Sequence, residues 1–243
     1  MSKKVINQNA NYNSELLNSI DSNFIFDENP INRLKNTNDL PKKDISFDVI
    51  DKERELNELR LRINSINNCN LKDGSKKIVL GDGNINSPIM LVGEAPGLEE
   101  DNMGQTFLGG TGDLLKKMLN AINIKKENIY TTYAVNFRPP EDRKPTSIEI
   151  KRYSQFLQNQ VSIIKPKIII LMGSTAMESL TGLNSKISTE RGKWKEVIVK
   201  NTSYKVIITF NPSYLLRAPE NKKYSWEDLK KIKKKIIDLK LNI

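Results

Sequence analysis

Three side chains in this sequence combine a reactive type with a setting that could use it. Glu94 sits in Gly93-Glu94-Ala95-Pro96-Gly97, directly after the apolar run Ile89 to Val92. A carboxylate at a strand end can orient a water molecule or stabilise developing positive charge, and it can equally tie down the backbone of its own turn. Asn211 opens Asn211-Pro212-Ser213-Tyr214-Leu215-Leu216-Arg217, where its amide is a neutral hydrogen-bond donor. Phe107 lies between Gly104 and Gly109, and its ring offers a flat face for stacking or a filler for a core.

Composition removes several chemistries. The chain of 243 residues has no histidine, which excludes an imidazole base, a Ser-His pair and a histidine-bound zinc. One cysteine, Cys69, can form no internal disulfide, and a cluster held by four thiolates is likewise excluded. No run reaches the roughly 18 apolar residues of a membrane helix, and the polar N-terminus lacks a signal-peptide core, so we expect a cytoplasmic, soluble protein.

The formal charge is +10, which suits a polyanionic partner or simply solubility. The excess lies late in the chain: residues 213–243 carry nine Lys/Arg against four Asp/Glu, whereas residues 1–50 carry six against seven. The basic surface therefore belongs to the C-terminal part.

The elements that must position these groups follow from hydrophobic patterning. Residues 1–48, with ten asparagines and few apolar residues, read as a disordered or loosely ordered arm, interrupted by Phe24-Ile25-Phe26 as a local contact. One domain, 49–243, follows. A first helix is expected over Asp51 to Ile66, and further helices over Gly112 to Ala121, Ser147 to Ile164, Ser174 to Leu180 and Ser225 to about Leu239. Four β-branched runs, Ile89 to Val92, Ile129 to Val135, Lys167 to Met172 and Lys205 to Phe210, alternate with them. This predicts an α/β three-layer sandwich with a central, mostly parallel four-stranded sheet flanked by helices. Ligands bind such sheets beyond the carboxyl ends of the strands, which singles out the loops 93–97 and 211–217.

The motifs extend well beyond one turn. After Gly93-Glu94-Ala95-Pro96-Gly97 come Glu100-Asp101, Gly104, Phe107, Gly109 and Gly112-Asp113-Leu114-Leu115. Further on stand Tyr130, Arg138-Pro139-Pro140, Arg143, Pro145-Thr146, Lys165-Pro166, Arg191-Gly192-Lys193-Trp194, the Asn211 loop and Trp226-Glu227-Asp228-Leu229. This ordered series resembles the type-4 branch of the uracil-DNA glycosylase superfamily over roughly residues 50–240. Thr106, where that branch has proline, is the visible departure in the first stretch.

The resemblance implies roles. Phe107 would stack on a base flipped out of the duplex, with Gly93 and Ala95 lining the base pocket. Glu94 would orient water and stabilise a positively charged sugar, with Glu100 or Asp101 in support, because Ala95 lies where the best-studied relatives carry a catalytic aspartate. Asn211 replaces a type-4 histidine that donates to the anionic uracil oxygen; the mismatch-specific branch has Asn-Pro-Ser there. Pro212 and Ser213 would pinch phosphates. Leu215, Leu216 and Arg217 would wedge into the gap left by the base, with Arg138 as a further DNA contact.

Two departures bear on selectivity and cofactor. Tyr133 stands where the type-4 pattern places an asparagine that reads the uracil edge; a phenol is bulkier and lacks the bidentate amide. Of the four cluster-cysteine places of type 4, three hold Ile66, Phe137 and Tyr153 and the fourth holds Cys69, so no iron-sulfur cluster or other cofactor is expected.

The expected function is hydrolysis of the N-glycosidic bond of uracil, or a related deaminated base, in DNA, by a monomer with no membrane partner. A lesion-binding relative without turnover is the second reading. A nucleotide- or RNA-binding protein reusing the glycine loop is the third.

Overall fold

The computed structural model describes residues 45–243. The expected arm therefore lies almost wholly outside the described residues, together with Phe24-Ile25-Phe26. Helix α1 begins at Ile45, a few positions inside the span assigned to that arm, and runs to Asn64.

Among the described residues, six strands form one sheet: β1 (Asp82–Gly83), β2 (Ile89–Gly93), β3 (Tyr130–Tyr133), β4 (Ile168–Met172), β5 (Trp194–Val199) and β6 (Thr202–Thr209). Their order is β1-β3-β2-β4-β6-β5. The four expected strands are the parallel centre, with Gly93 beside Tyr133 and Met172 beside Thr209 in register. Two antiparallel edge strands extend the sheet beyond the expected four.

Strands β2, β3 and β4 are buried at every position, as parallel strands covered on both faces must be. One face packs against α1, α5 (Ser147–Ile164) and α6 (Ser174–Thr181) through Leu59, Ile63, Leu157, Val161 and Met177. The other packs against α4 (Gly109–Asn120), α8 (Pro212–Arg217) and α9 (Lys222–Asp238) through Leu115, Leu119, Leu215, Leu229 and Ile232. Short helices α2 (Asn70–Asp73), α3 (Leu98–Met103) and α7 (Ile187–Glu190) are the remaining α-helices among the described residues.

Helix α5 spans the residues the sequence predicts because its start is written locally. The Thr146 hydroxyl accepts from the Glu149 N–H, and Glu149 Oε2 accepts from the Thr146 N–H at 2.7 Å. No helix among the described residues is long and apolar enough to cross a membrane.

Candidate active site

The parallel centre places the ends of β2, β3, β4 and β6 along one edge of the sheet. A cleft of about 1020 Å³ opens there, lined among others by Glu94, Phe107, Tyr133, Ser174, Asn211 and Arg217. Residues of both loops singled out from the sequence line this cleft, and the fold brings residues from across the chain to one place.

Glu94 follows the last residue of β2, and both of its oxygens are engaged. Oε1 accepts from the Thr175 N–H at 3.0 Å and from the Ser174 hydroxyl at 3.3 Å, at the N-terminus of α6. That terminus presents N–H groups and partial positive charge, which suit a carboxylate as acceptor. Gly173 makes the approach possible: its φ is +102°, and a Cβ there would lie 2.4 Å from the Glu94 carboxyl carbon. Sequence reasoning missed Gly173, Ser174 and Thr175; a strand ending in Gly-Ser-Thr before a helix was the available signal.

Oε2 faces Asn211. The Asn211 amide nitrogen donates to it at 3.3 Å, across 117 positions of chain. Asn211 caps α8, its Oδ1 accepting from the Ser213 N–H at 3.0 Å. Because Oδ1 is fixed by a donor, the amide group must point its NH2 toward Glu94. One N–H of that amide meets the carboxylate, and Asn211 lines the cleft.

Glu100 and Asp101, expected to support Glu94, are buried and used structurally. Glu100 accepts from the N–H groups of Gly97 and Leu108, each at 3.0 Å, and from the Tyr133 hydroxyl at 3.2 Å. Asp101 accepts from the N–H groups of Lys76 and Lys77. Thr106, the departure from proline, joins a polar cluster: its hydroxyl is 2.8 Å from Asp82 and 2.5 Å from the Thr131 hydroxyl.

The residues expected at DNA divide. Leu216 is 48% exposed and Arg217 is exposed at the cleft, and Ser213 lines it half-buried. Pro212 is buried, and Leu215 is fully buried in the core, so Leu215 cannot act as a wedge. Its position on the inward side of α8 follows from helical geometry, since neighbouring residues project about 100° apart. Arg138 is bound by Asp142 through two hydrogen bonds of 2.7 and 2.9 Å, so its guanidinium is already paired. Ala95 is half-buried at the cleft wall, and Gly93 is buried beneath the rings of Phe107 and Tyr133.

A family model for the uracil DNA glycosylase superfamily matches residues 80–232. This chain belongs to that superfamily. It is 37% identical over 175 residues to a type-4 uracil-DNA glycosylase of Thermotoga maritima, covering 71% of this chain and 90% of that protein. A type-4 enzyme of Archaeoglobus fulgidus is 34% identical, covering 73% and 91%, and one of Sulfurisphaera tokodaii is 36% identical, covering 73% and 83%.

The places at which the type-4 resemblance implies cluster ligands do not fit a four-thiolate group. Cys69, Phe137 and Tyr153 are buried in one hydrophobic cluster, with Ile66 packed against it. The Cys69 thiol and the Tyr153 hydroxyl are 3.2 Å apart, and the rings of Phe137 and Tyr153 meet edge to face at 6.3 Å. Burial raises the Tyr153 phenol's pKa above its ordinary value, and the contact with Cys69 adds to this. Among the described residues, no group of three or more His, Cys, Asp or Glu could hold a metal ion.

Proposed function

We propose that this chain is a uracil-DNA glycosylase that starts base excision repair, acting as an intracellular, metal-free monomer on uracil-containing DNA. The observation that carries this reading is the pairing of Glu94 with Asn211 at the floor of the cleft, on the framework of the superfamily.

The reaction breaks the bond between the sugar C1′ and the uracil nitrogen and adds water to C1′, leaving an abasic site and free uracil. The sugar becomes cation-like and the base anionic as that bond stretches. Glu94, positioned by the N-terminus of α6, is the carboxylate that faces the sugar and an acceptor for the attacking water. Each carboxylate oxygen has two acceptor sites; Thr175 and Ser174 take both on Oε1, whereas Oε2 accepts only from Asn211 and keeps one for that water. The second N–H of Asn211 donates to the carbonyl oxygen on which the departing base accumulates charge. Aimed donors of this kind are worth about 2.7–4 kcal/mol in the transition state.

Leu216 and Arg217, exposed on α8 beside Asn211, supply an apolar wedge and a phosphate ligand for the extruded nucleotide. The deciding measurement is cleavage of an end-labelled oligonucleotide containing one uracil, opposite guanine or single-stranded, with alkali to break abasic sites. Cleavage that falls about 100-fold or more in Asn211→Ala supports the reading. DNA binding without an abasic product in the wild type would replace it with the lesion-binding reading.

A further inference from the structure

Tyr133, the last residue of β3, packs its ring against Phe107 in the loop before α4. Phe107, which the glycosylase reading needs as a stacking platform, is only 1% exposed, although its loop borders the cleft. What covers it is Tyr133, itself 3% exposed, with ring centroids 4.9 Å apart and planes inclined at 35°. The spacing is that of rings in direct contact, tilted against each other rather than lying parallel.

The contact is tethered. The Tyr133 hydroxyl accepts from the Phe107 N–H at 2.9 Å and donates to Glu100 at 3.2 Å. Phe107 has a φ of +50°, a left-handed backbone that a bulky residue adopts only when its surroundings impose it. The hydrogen bond from its own N–H to Tyr133 is one such restraint. Gly93 lies under both rings: a Cβ there would come within 2.7 Å of each. The strand floor therefore leaves no space into which either ring could sink.

We propose that Tyr133 determines access to the base pocket: its ring occupies the aromatic face of Phe107 on which a flipped pyrimidine would stack, so base and side chain compete for one surface. This rests on the glycosylase reading for the identity of the competitor. It also assigns the phenol hydroxyl to Phe107 and Glu100, which leaves the recognition of the base to Asn211 and to shape. The consequence is slow capture of pyrimidines from DNA by the wild type and a faster variant when the ring is removed.

The experiment uses the full chain and three variants: Tyr133→Asn and Tyr133→Ser, which remove the ring, and Tyr133→Phe, which keeps it. Two readouts are taken. One is kcat/KM on single-uracil DNA. The other is base extrusion, reported by a fluorescent adenine analogue next to a uridine fluorinated on the sugar, which resists hydrolysis. Thermal unfolding selects the ring-removing variants that remain folded; the two differ in size and polarity, so each stands in for the other.

We expect extrusion and kcat/KM to rise at least tenfold when the ring is removed, and to stay within about twofold in Tyr133→Phe. Unchanged or reduced extrusion in the folded ring-free variants overturns the proposal. If no variant cleaves while extrusion still rises, the glycosylase reading fails and the Tyr133 proposal stands. If the wild type cleaves and ring removal changes neither readout, the reverse holds.

Discussion

Arg191 and Asp228 form a two-pronged ion pair directly behind the Asn211 loop: Nε to Oδ2 is 3.0 Å and the second nitrogen to Oδ1 is 2.5 Å. Asp228 Oδ2 also accepts from the Thr209 hydroxyl at 2.8 Å, two residues before Asn211. The Arg191 guanidinium lies over the rings of Phe210 and Tyr224 and donates to the Tyr224 carbonyl. The two motifs without an obvious role, Arg191-Gly192-Lys193-Trp194 and Trp226-Glu227-Asp228-Leu229, thus meet at the strand end that carries the donor. Burial raises the Asp228 carboxyl's pKa above the usual range, opposed by Thr209 and Arg191.

Removing one member of this buried pair leaves the other without its partner. Asp228→Ala should cost about 3–5 kcal/mol of stability, and Asp228→Asn less, because an amide still accepts from Thr209. Urea unfolding midpoints of the two variants check this.

Leu215 and Leu216 are adjacent on α8 and should behave oppositely. Leu215→Ala empties a fully buried site and should destabilise the fold by about 2–5 kcal/mol. Leu216→Ala should leave stability within about 0.5 kcal/mol and instead weaken cleavage of duplex DNA more than of single strands. Calorimetry on both, with cleavage of the two substrate forms, separates packing from wedging.

Asn211→Asp preserves the cap on Ser213 but sets a second carboxylate against Glu94, where the amide nitrogen now stands 3.3 Å away. Two like charges at that range cannot both ionise freely, so one takes a proton well above the usual carboxylate range. Cleavage should fall about 100-fold or more at neutral pH, with the pH–rate profile shifted relative to wild type.

Acid should act on the Arg143–Glu149 pair at the start of α5. Arg143 donates to the Glu149 carboxylate, which with the Thr146 cap lowers the Glu149 carboxyl's pKa from 4.5 to about 2. A carboxyl whose folded pKa is depressed contributes stability fully above its unfolded value; that contribution is lost as pH falls from 4.5 through about 2. Glu149→Gln should therefore show a shallower loss of stability across that window, measured by thermal unfolding at successive pH values.

Cys69 stands in a packed cluster beside Tyr153 and Phe137. Cys69→Ala should cost about 1 kcal/mol and leave cleavage unchanged, and chelators should shift neither the unfolding temperature nor the rate. Loss of activity on chelation would contradict the metal-free reading.

The sheet's centre was legible because β2, β3 and β4 are buried on both faces and so read as continuous apolar runs. Strand β5 was not: as an edge strand it alternates half-buried and exposed residues and contains lysine and glutamate. Its hairpin to β6 turns through Lys200 and Asn201, with φ of +45° and +66°, rather than through the glycine that usually marks such a turn. Strand β1, two residues long, leaves no periodic signal.

At the site, the strand ends singled out the loops that carry Glu94 and Asn211, and both residues line the cleft. Local spacing could not indicate which bonds Glu94 makes, because Ser174 and Thr175 arrive from a different strand end. Nor could a string of residues reveal that Leu215 faces inward while Leu216 does not, or that Tyr133 covers Phe107. These depend on the rotation of a short helix and on the register of two strands.

The Glu94–Asn211 contact closes 117 positions of chain, and it does so through three neighbouring strands, β2, β4 and β6. Contacts of such long sequence separation form late, since loop entropy must be overcome before they contribute. During synthesis or refolding, then, no fragment ending before β6 holds both groups, and chemistry begins only when the last parallel strand has docked. Recovery of cleavage should lag the recovery of helical signal, so that function itself reports the final event in folding.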